Sequence, residues 1–371
     1  MRTKRNIIVT GLALVSVIAM AGCSVAGNNP PASSNSPSDT GTGAAAAPST
    51  SQWIAPPKAG PYKVGLANGF NGNSWRQQMV AEFQYACDNK YKDQISQCTA
   101  VDANSDDSTQ IQQINDFVTQ GYDIILIDPT SATAENAAID AARQAGVQVV
   151  TFDSSSSETS QSAIMVGEDQ KQIGTLSGQW LASQLQSGDT IVDLTGIDGN
   201  PISQDRDSGA VAALQAAGIQ IVASAPTNWD YATAQTAFTT LLAAHPDIKG
   251  VYSQGGDASR AAIDVMAQQG MSKILPIPGE ASNGFLKVWQ QYNQSQGFTS
   301  FAFASPPELV VTALGYAIGA LQGTDPGQAP TIDIPTITQD TLANNVKPDV
   351  SDSLWLPTTL PDSEIQKLFP S

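Results

Sequence analysis

The segment Asn68-Gly69-Phe70-Asn71-Gly72-Asn73-Ser74-Trp75-Arg76 brings side-chain amides, Asn68 and Asn73 among them, together with an indole and a guanidinium, and its glycines let the backbone turn sharply between them. Comparable groups recur downstream: Asp153 ahead of four serines, Asp205-Arg206, Thr227-Asn228-Trp229-Asp230, Gln254 and Asp257 around a Gly-Gly pair, and Glu280 and Asn283 after Pro278-Gly279. Planar bidentate partners beside an aromatic plate suit a ligand whose hydroxyls both donate and accept and whose ring faces present C–H groups. That chemistry is recognition of a small sugar or polyol. The single histidine, His245, ends a helical pattern in Ala-Ala-His-Pro-Asp, so a Ser-His-Asp relay or a zinc site has no material. No metal, cofactor or catalytic residue is expected. The enzymatic alternative is a carbohydrate hydrolase built on paired carboxylates such as Asp153 and Glu280.

The elements that must position these groups are read from hydrophobic period. Short β-rich runs alternate with helical ones: Tyr62 to Ala67, then Trp75 to Asn89; Cys98 to Asp102, then Thr109 to Gln120; Asp123 to Ile127, then Ala132 to Ala145; and Gln148 to Phe152. A second series runs from a helix at Asp169 to Leu185 through strand Thr190 to Leu194, helix Asp205 to Ala217, strand Gln220 to Ala225, helix Ala232 to Ala244, strand Gly250 to Gln254 and helix Ala258 to Gln269. Alternation of this kind predicts an α/β protein with parallel sheets flanked by helices. One sheet would be very large for about 300 residues, so two lobes are expected. Ligands of parallel sheets sit beyond the carboxyl ends of the strands, where the candidate residues fall.

The N-terminus carries Arg2, Lys4 and Arg5, an apolar run from Ile7 to Met20, and Ala21-Gly22-Cys23, the pattern of a signal peptide over residues 1–22. Met20-Ala21-Gly22-Cys23 resembles a bacterial lipobox, which predicts acylation of Cys23 and attachment to the outer face of the cell membrane; an unmodified secreted protein is the alternative. Residues 23–60 are mostly Ser, Pro, Gly, Asn, Thr and Ala and are expected to form a disordered tether. The formal charge is -17, and losing a leader with three basic residues and no acid makes it more negative, which excludes nucleic acid as a partner. Cys87 and Cys98 form an even pair in an exported chain, read as a disulfide, with two buried thiols as the alternative.

Several of these stretches, in this order, look like ribose-type periplasmic binding proteins: Leu126-Ile127-Asp128-Pro129-Thr130, Val149-Val150-Thr151-Phe152-Asp153, Gly196-Ile197 leading to Asp205-Arg206, and Leu241-Leu242-Ala243-Ala244-His245-Pro246-Asp247. The resemblance covers nearly all of Lys63 to Gly323. It implies the two-lobe type I periplasmic-binding fold with three hinge crossings, placed near Gly167, Ala304 and Thr336. The first lobe is then 61–167 plus 305–336 and the second 168–304 plus 337–371. It implies a monomeric, non-catalytic binding protein that delivers its ligand to an ABC permease, with a receptor that reports ligand to a membrane sensor as the alternative. The family's ligand contacts fall on Asn73, Trp75, Asp153, Arg206 and Trp229, with Arg76 beside them. Departures occur at Ser154, where the family has Arg, at Gly255, where it has Asn, at Ala304, where it has Gln, and at Pro278-Gly279-Glu280. They argue against ribose itself and leave Gln254, Asp257, Glu280 and Asn283 as further candidates.

Overall fold

The computed structural model describes residues 54–154, 163–325 and 332–370. The predicted leader, Cys23, the tether as far as residue 53 and three of the serines after Asp153 lie outside the described residues. The first lobe runs β1 (Tyr62–Asn68), α1 (Ser74–Tyr85), β2 (Ile95–Asp102), α2 (Asp107–Thr119), β3 (Ile124–Asp128), α3 (Asn136–Gln144), β4 (Gln148–Phe152) and β5 (Ile164–Val166). Its sheet is parallel throughout, in the order β2-β1-β3-β4-β5. Strands β3 and β4 are buried at every position, which is why they read as unbroken apolar runs instead of alternating ones. Register places Asn68 opposite both Asp102 and Asp128, so three polar side chains leave neighbouring strands at one end of the sheet.

The second lobe runs α4 (Gln170–Ser183), β6 (Thr190–Thr195), α5 (Pro201–Ala216), β7 (Gln220–Pro226), α6 (Tyr231–Ala244), β8 (Gly250–Ser253), α7 (Gly256–Gln268), β9 (Gly279–Glu280), α8 (Asn283–Gln296) and β10 (Ala302–Phe303). The chain then returns to the first lobe as α9 (Leu309–Leu321), whose apolar face packs with Trp75, Met79 and Leu126. Strand β11 (Thr336–Ile337) pairs antiparallel with β10, and α10 (Leu342–Asn345) and α11 (Asp362–Leu368) close the chain. Crossings between lobes therefore lie between β5 and α4, between β10 and α9, and before β11.

Four differences from the sequence reading have physical causes. The second lobe carries two three-stranded sheets, β7-β6-β8 and β9-β10-β11, where one parallel sheet is expected. Pro276 and Pro278 have no N–H to give to a ladder, and the Val251 N–H to the Pro276 carbonyl, 3.0 Å, is the bond that joins β8 to this stretch. Helix α5 begins at Pro201, not Asp205, because Asn200 caps it, accepting the Ile202 N–H at 2.9 Å, and proline at the first position forfeits no bond. Residues 54–60, placed in the tether, pack on the first lobe: Ala55 is buried and its N–H reaches Gln148 Oε1 at 2.9 Å, while Lys58 pairs with Asp123. Finally, the tail assigned to the second lobe touches both lobes, with Trp355 among the first lobe's core residues and Leu354, Leu356 and Leu360 among the second's.

Cys87 and Cys98 are joined in a disulfide with Cα atoms 6.5 Å apart, tying the turn after α1 to β2. Among the described residues no helix is long and apolar enough to cross a membrane.

Candidate functional site

Between the lobes lies a small cavity bordered by residues of both. The first lobe supplies its side of the cavity from the start of α1 and the end of β4. Asn73 caps α1, accepting the Arg76 N–H at 2.9 Å, and this fixes the first helical turn. Trp75 in that turn donates its indole N–H to the Ser305 carbonyl at 2.7 Å, at the second crossing between the lobes. Arg76 is held by Asn68 Oδ1 at 3.2 Å, by Asp153 at 3.3 Å and by an ion pair with Asp128, which is 0% exposed. Burial lowers the pKa of Arg76 and the carboxylate of Asp153 counters it; burial likewise raises that of Asp153, opposed by Arg76 and Arg206. Asp153 sits at φ 59, a left-handed conformation that costs energy unless its surroundings impose it.

The second lobe answers with Arg206, Trp229 and Glu280. Helices α4 and α5 cross so closely that a Cβ on Gly174 would strike the Arg206 backbone and one on Gly209 would strike the Lys171 carbonyl oxygen, so these glycines permit the approach that seats Arg206. Its Nε donates to Gln170 Oε1 at 2.8 Å, and its Nη1 to the Gln254 carbonyl at 2.8 Å and Glu280 Oε2 at 3.0 Å. Its guanidinium lies 4.8 Å from the ring centre of Phe303. Trp229 is wedged beside Gly196 and Gly255, both of which would collide with its indole if they carried a Cβ. The Gly255 departure from the ribose pattern thus makes room for this ring. The indole N–H of Trp229 is buried and has no hydrogen-bond partner among the described residues.

Carboxyl groups outnumber guanidiniums here, and burial decides their protonation. Glu280 is pushed up to about 7, by burial first, with Arg206 opposing. Glu168, beside the first crossing, is pushed up to about 8 by burial and then by the charge of Asp153; the Ser305 hydroxyl donates to it at 3.3 Å. Burial thus favours the neutral form of both glutamates more than solvent would.

Of the residues expected to meet a ligand, Asn73, Trp75, Arg76, Asp153, Arg206, Trp229 and Glu280 line the cavity. The other four are drawn elsewhere. Asn68 spends its amide on Arg76 and on the Phe70 carbonyl, 2.8 Å. Gln254 braces the loop after β6, accepting the Gly196 N–H at 3.1 Å and donating to Ser203 and Asp207. Asp257 accepts the Ser74 hydroxyl at 3.3 Å across the lobes, and burial raises it to about 6. Asn283 is turned to the tail: its amide nitrogen is bonded to the carbonyls of Lys347, Val350 and Ser351 and its oxygen accepts the Lys347 N–H. Sequence reasoning missed Ile202, Ser305 and Trp355, which also line the cavity. The Asn200-Pro201 cap signal would have found Ile202; the tail around Trp355 has no periodicity to mark it.

Residues 64–325 match the family model described as a periplasmic binding protein domain, and the chain belongs to that family. It is 26% identical over 224 residues to the ribose import binding protein of Bacillus subtilis, an alignment covering 60% of this chain and 72% of that protein. Against the ribose import binding protein of Escherichia coli it is 25% identical over 177 residues, 48% of this chain and 60% of the other, so the match spans less than two thirds of that relative. Among solved structures, an ABC transporter solute-binding protein from Thermobispora bispora superposes with a TM-score of 0.71 at 27% identity, covering 82% of this chain and 94% of that one. The resemblance to ribose-type binding proteins and the type I α/β fold read from the sequence are both borne out.

Proposed function

We propose that this protein is the extracytoplasmic solute-binding component of an ABC importer, held to the outer face of the membrane by lipidated Cys23, and that it closes two lobes on one small uncharged sugar or polyol. The observation that carries the reading is the composition of the cavity. Each guanidinium is already paired with at least one carboxyl group, an indole N–H waits without an acceptor, and indoles from both lobes border the space. An anionic ligand would meet Asp153 and Glu280 with no uncommitted cation to offset them, whereas neutral hydroxyls can accept from Trp229 and the guanidiniums and donate to the carboxylates. Ligand bound across both lobes shifts a hinge equilibrium toward the closed form, which is what a permease reads. The kinship with ribose import binding proteins and an ABC transporter solute-binding protein supports import over sensing, and supports a binding role over a catalytic one.

Calorimetric titration at pH 7 with D-ribose, D-allose, D-galactose, D-fructose, xylitol and myo-inositol tests the reading, with one or more binding more tightly than about 1 mM. Absence of any such binding across the panel defeats it. The anchor is tested separately: Cys23→Ser should release the protein from the membrane fraction, and retention there would refute lipidation.

A further inference from the structure

The tail is anchored to both lobes at the same residue. On the second lobe, Trp355 makes an antiparallel bridge to Ser282, Leu356 donates its N–H to the Ala281 carbonyl at 3.0 Å, and the Leu354 carbonyl accepts from the Asn283 N–H at 2.7 Å. On the first lobe, both ends of the buried Gln78 amide are given to the Trp355 backbone, accepting its N–H at 2.9 Å and donating to its carbonyl at 3.0 Å. Thr358 and Thr359 then bond to the buried Glu82 carboxyl one helical turn further along α1. The indole of Trp355 lines the ligand cavity while its N–H is given to Ser74 Oγ at 2.8 Å. With that donor spent, what Trp355 presents to the cavity is carbon surface, in contrast to Trp229, whose N–H is unspent.

We propose that Trp355, carried into the cavity by the C-terminal tail, is a specificity-determining ligand contact that packs against a C–H face of the ring, and that ligand occupancy and docking of the tail on α1 reinforce each other. The inference rests on the sugar-binding reading and adds the residue that selects among sugars. A wall made of carbon rewards epimers that turn a run of C–H groups toward it and penalises those that turn a hydroxyl there, which would lose its water without gaining a partner. The Gln78 pair makes the position of that wall depend on contacts from both lobes.

The test titrates the full chain and its Trp355→Leu, Trp355→Phe and Gln78→Ala variants with the same six sugars and polyols, recording melting temperature alongside. Leucine keeps apolar bulk without a plate. The expected result is a loss of about tenfold or more in affinity for the compound the wild type prefers, with a narrower spread across the panel. Phenylalanine should retain affinity to within about threefold, and Gln78→Ala should weaken binding by a few fold because the plate is less firmly placed. Unchanged affinity and selectivity in Trp355→Leu, whatever its melting temperature, would overturn the inference by leaving the tail a purely structural role. If Trp355→Leu does not fold, unchanged affinity in Gln78→Ala overturns it in the same way. Failure of the wild type to bind any of the six would instead remove the sugar reading on which it depends.

Discussion

The two halves of the cavity each present an arginine, but they hold it by different chemistry. Arg76 is fixed by carboxylates that leave adjacent strand ends of one continuous parallel sheet, Asp128 and Asp153, with Asn68 on the strand beyond Asp128. Arg206 stands on a helix and is fixed mainly by neutral partners, Gln170 and the Gln254 carbonyl, with Glu280 as its one carboxyl. The Arg76 side is a buried ion cluster, where removing one member strands the others. On the Arg206 side the charges are fewer and one carboxyl titrates near neutrality. From this contrast we infer a structural role for the first lobe's arginine beside its proposed ligand contact, and for the second lobe's arginine a role chiefly at the proposed ligand contact.

Paired substitutions probe this contrast most directly. Arg76→Ala should lower unfolding free energy by about 3–5 kcal/mol, since Asp128 is left charged or forced to protonate in a fully buried position. Arg206→Ala should cost clearly less stability, because the one carboxyl it leaves behind, Glu280, is already pushed up to about 7 and can take a proton, yet weaken ligand at least about tenfold. Denaturant melts and calorimetry of both variants measure the difference, and equal stability losses would erase it. Opening the disulfide with Cys98→Ser should cost about 3 kcal/mol through loop entropy and leave affinity nearly unchanged, since it ties the far end of α1, away from Asn73 and Trp75. A parallel loss of affinity would mean that the α1 frame transmits strain to the site. Gly255→Ala is a local test of the second half. The added methyl would sit 2.8 Å from Trp229 Cδ1 and displace the indole, at about 1–3 kcal/mol of overpacking and with a marked loss of affinity. Wild-type affinity there would show that the position of Trp229 is unimportant.

The same contrast explains what could be read from the sequence. The first lobe was legible because β3 and β4 are mostly apolar and buried throughout, and because Asn68 ends β1, Asp128 ends β3 and Asp153 follows β4 directly. Strand-end logic groups Asn73, Trp75, Arg76 and Asp153, and all four line the cavity. In the second lobe the same logic groups Arg206, Trp229 and Glu280, which line the cavity, with Gln254, Asp257 and Asn283, which are bonded to other partners. All three also follow predicted strands, and nothing in local pattern says that an amide will be consumed by a loop or a tail. Trp355 was beyond reach for a further reason. Its partners Ser74 and Gln78 lie 281 and 277 residues away in sequence, and no periodic element surrounds it. A contact of that separation is fixed by tertiary packing, not by local propensity.

The finest test of the contrast is pH, because the raised carboxyls gather where the lobes meet. Glu168 is held at about 8 and Glu280 at about 7 in the folded chain, against roughly 4.3 for an unperturbed glutamate. Between those limits the native state binds more protons than the unfolded state, so stability falls as pH rises through this window and levels off above it. The sign is opposite to that of a carboxylate held ionised by a salt bridge. Melting temperature should therefore decline from about pH 5 to pH 8, and Glu168→Gln, which keeps the Ser305 partner but cannot ionise, should flatten the upper part of that decline. Arg76→Lys should leave the slope in place, since neither Glu168 nor Glu280 owes its shift to Arg76. A Glu168→Gln profile parallel to the wild type from pH 6 to pH 8 would show that this carboxyl is already ionised in the folded protein, and that the meeting of the lobes carries one more negative charge than its burial favours.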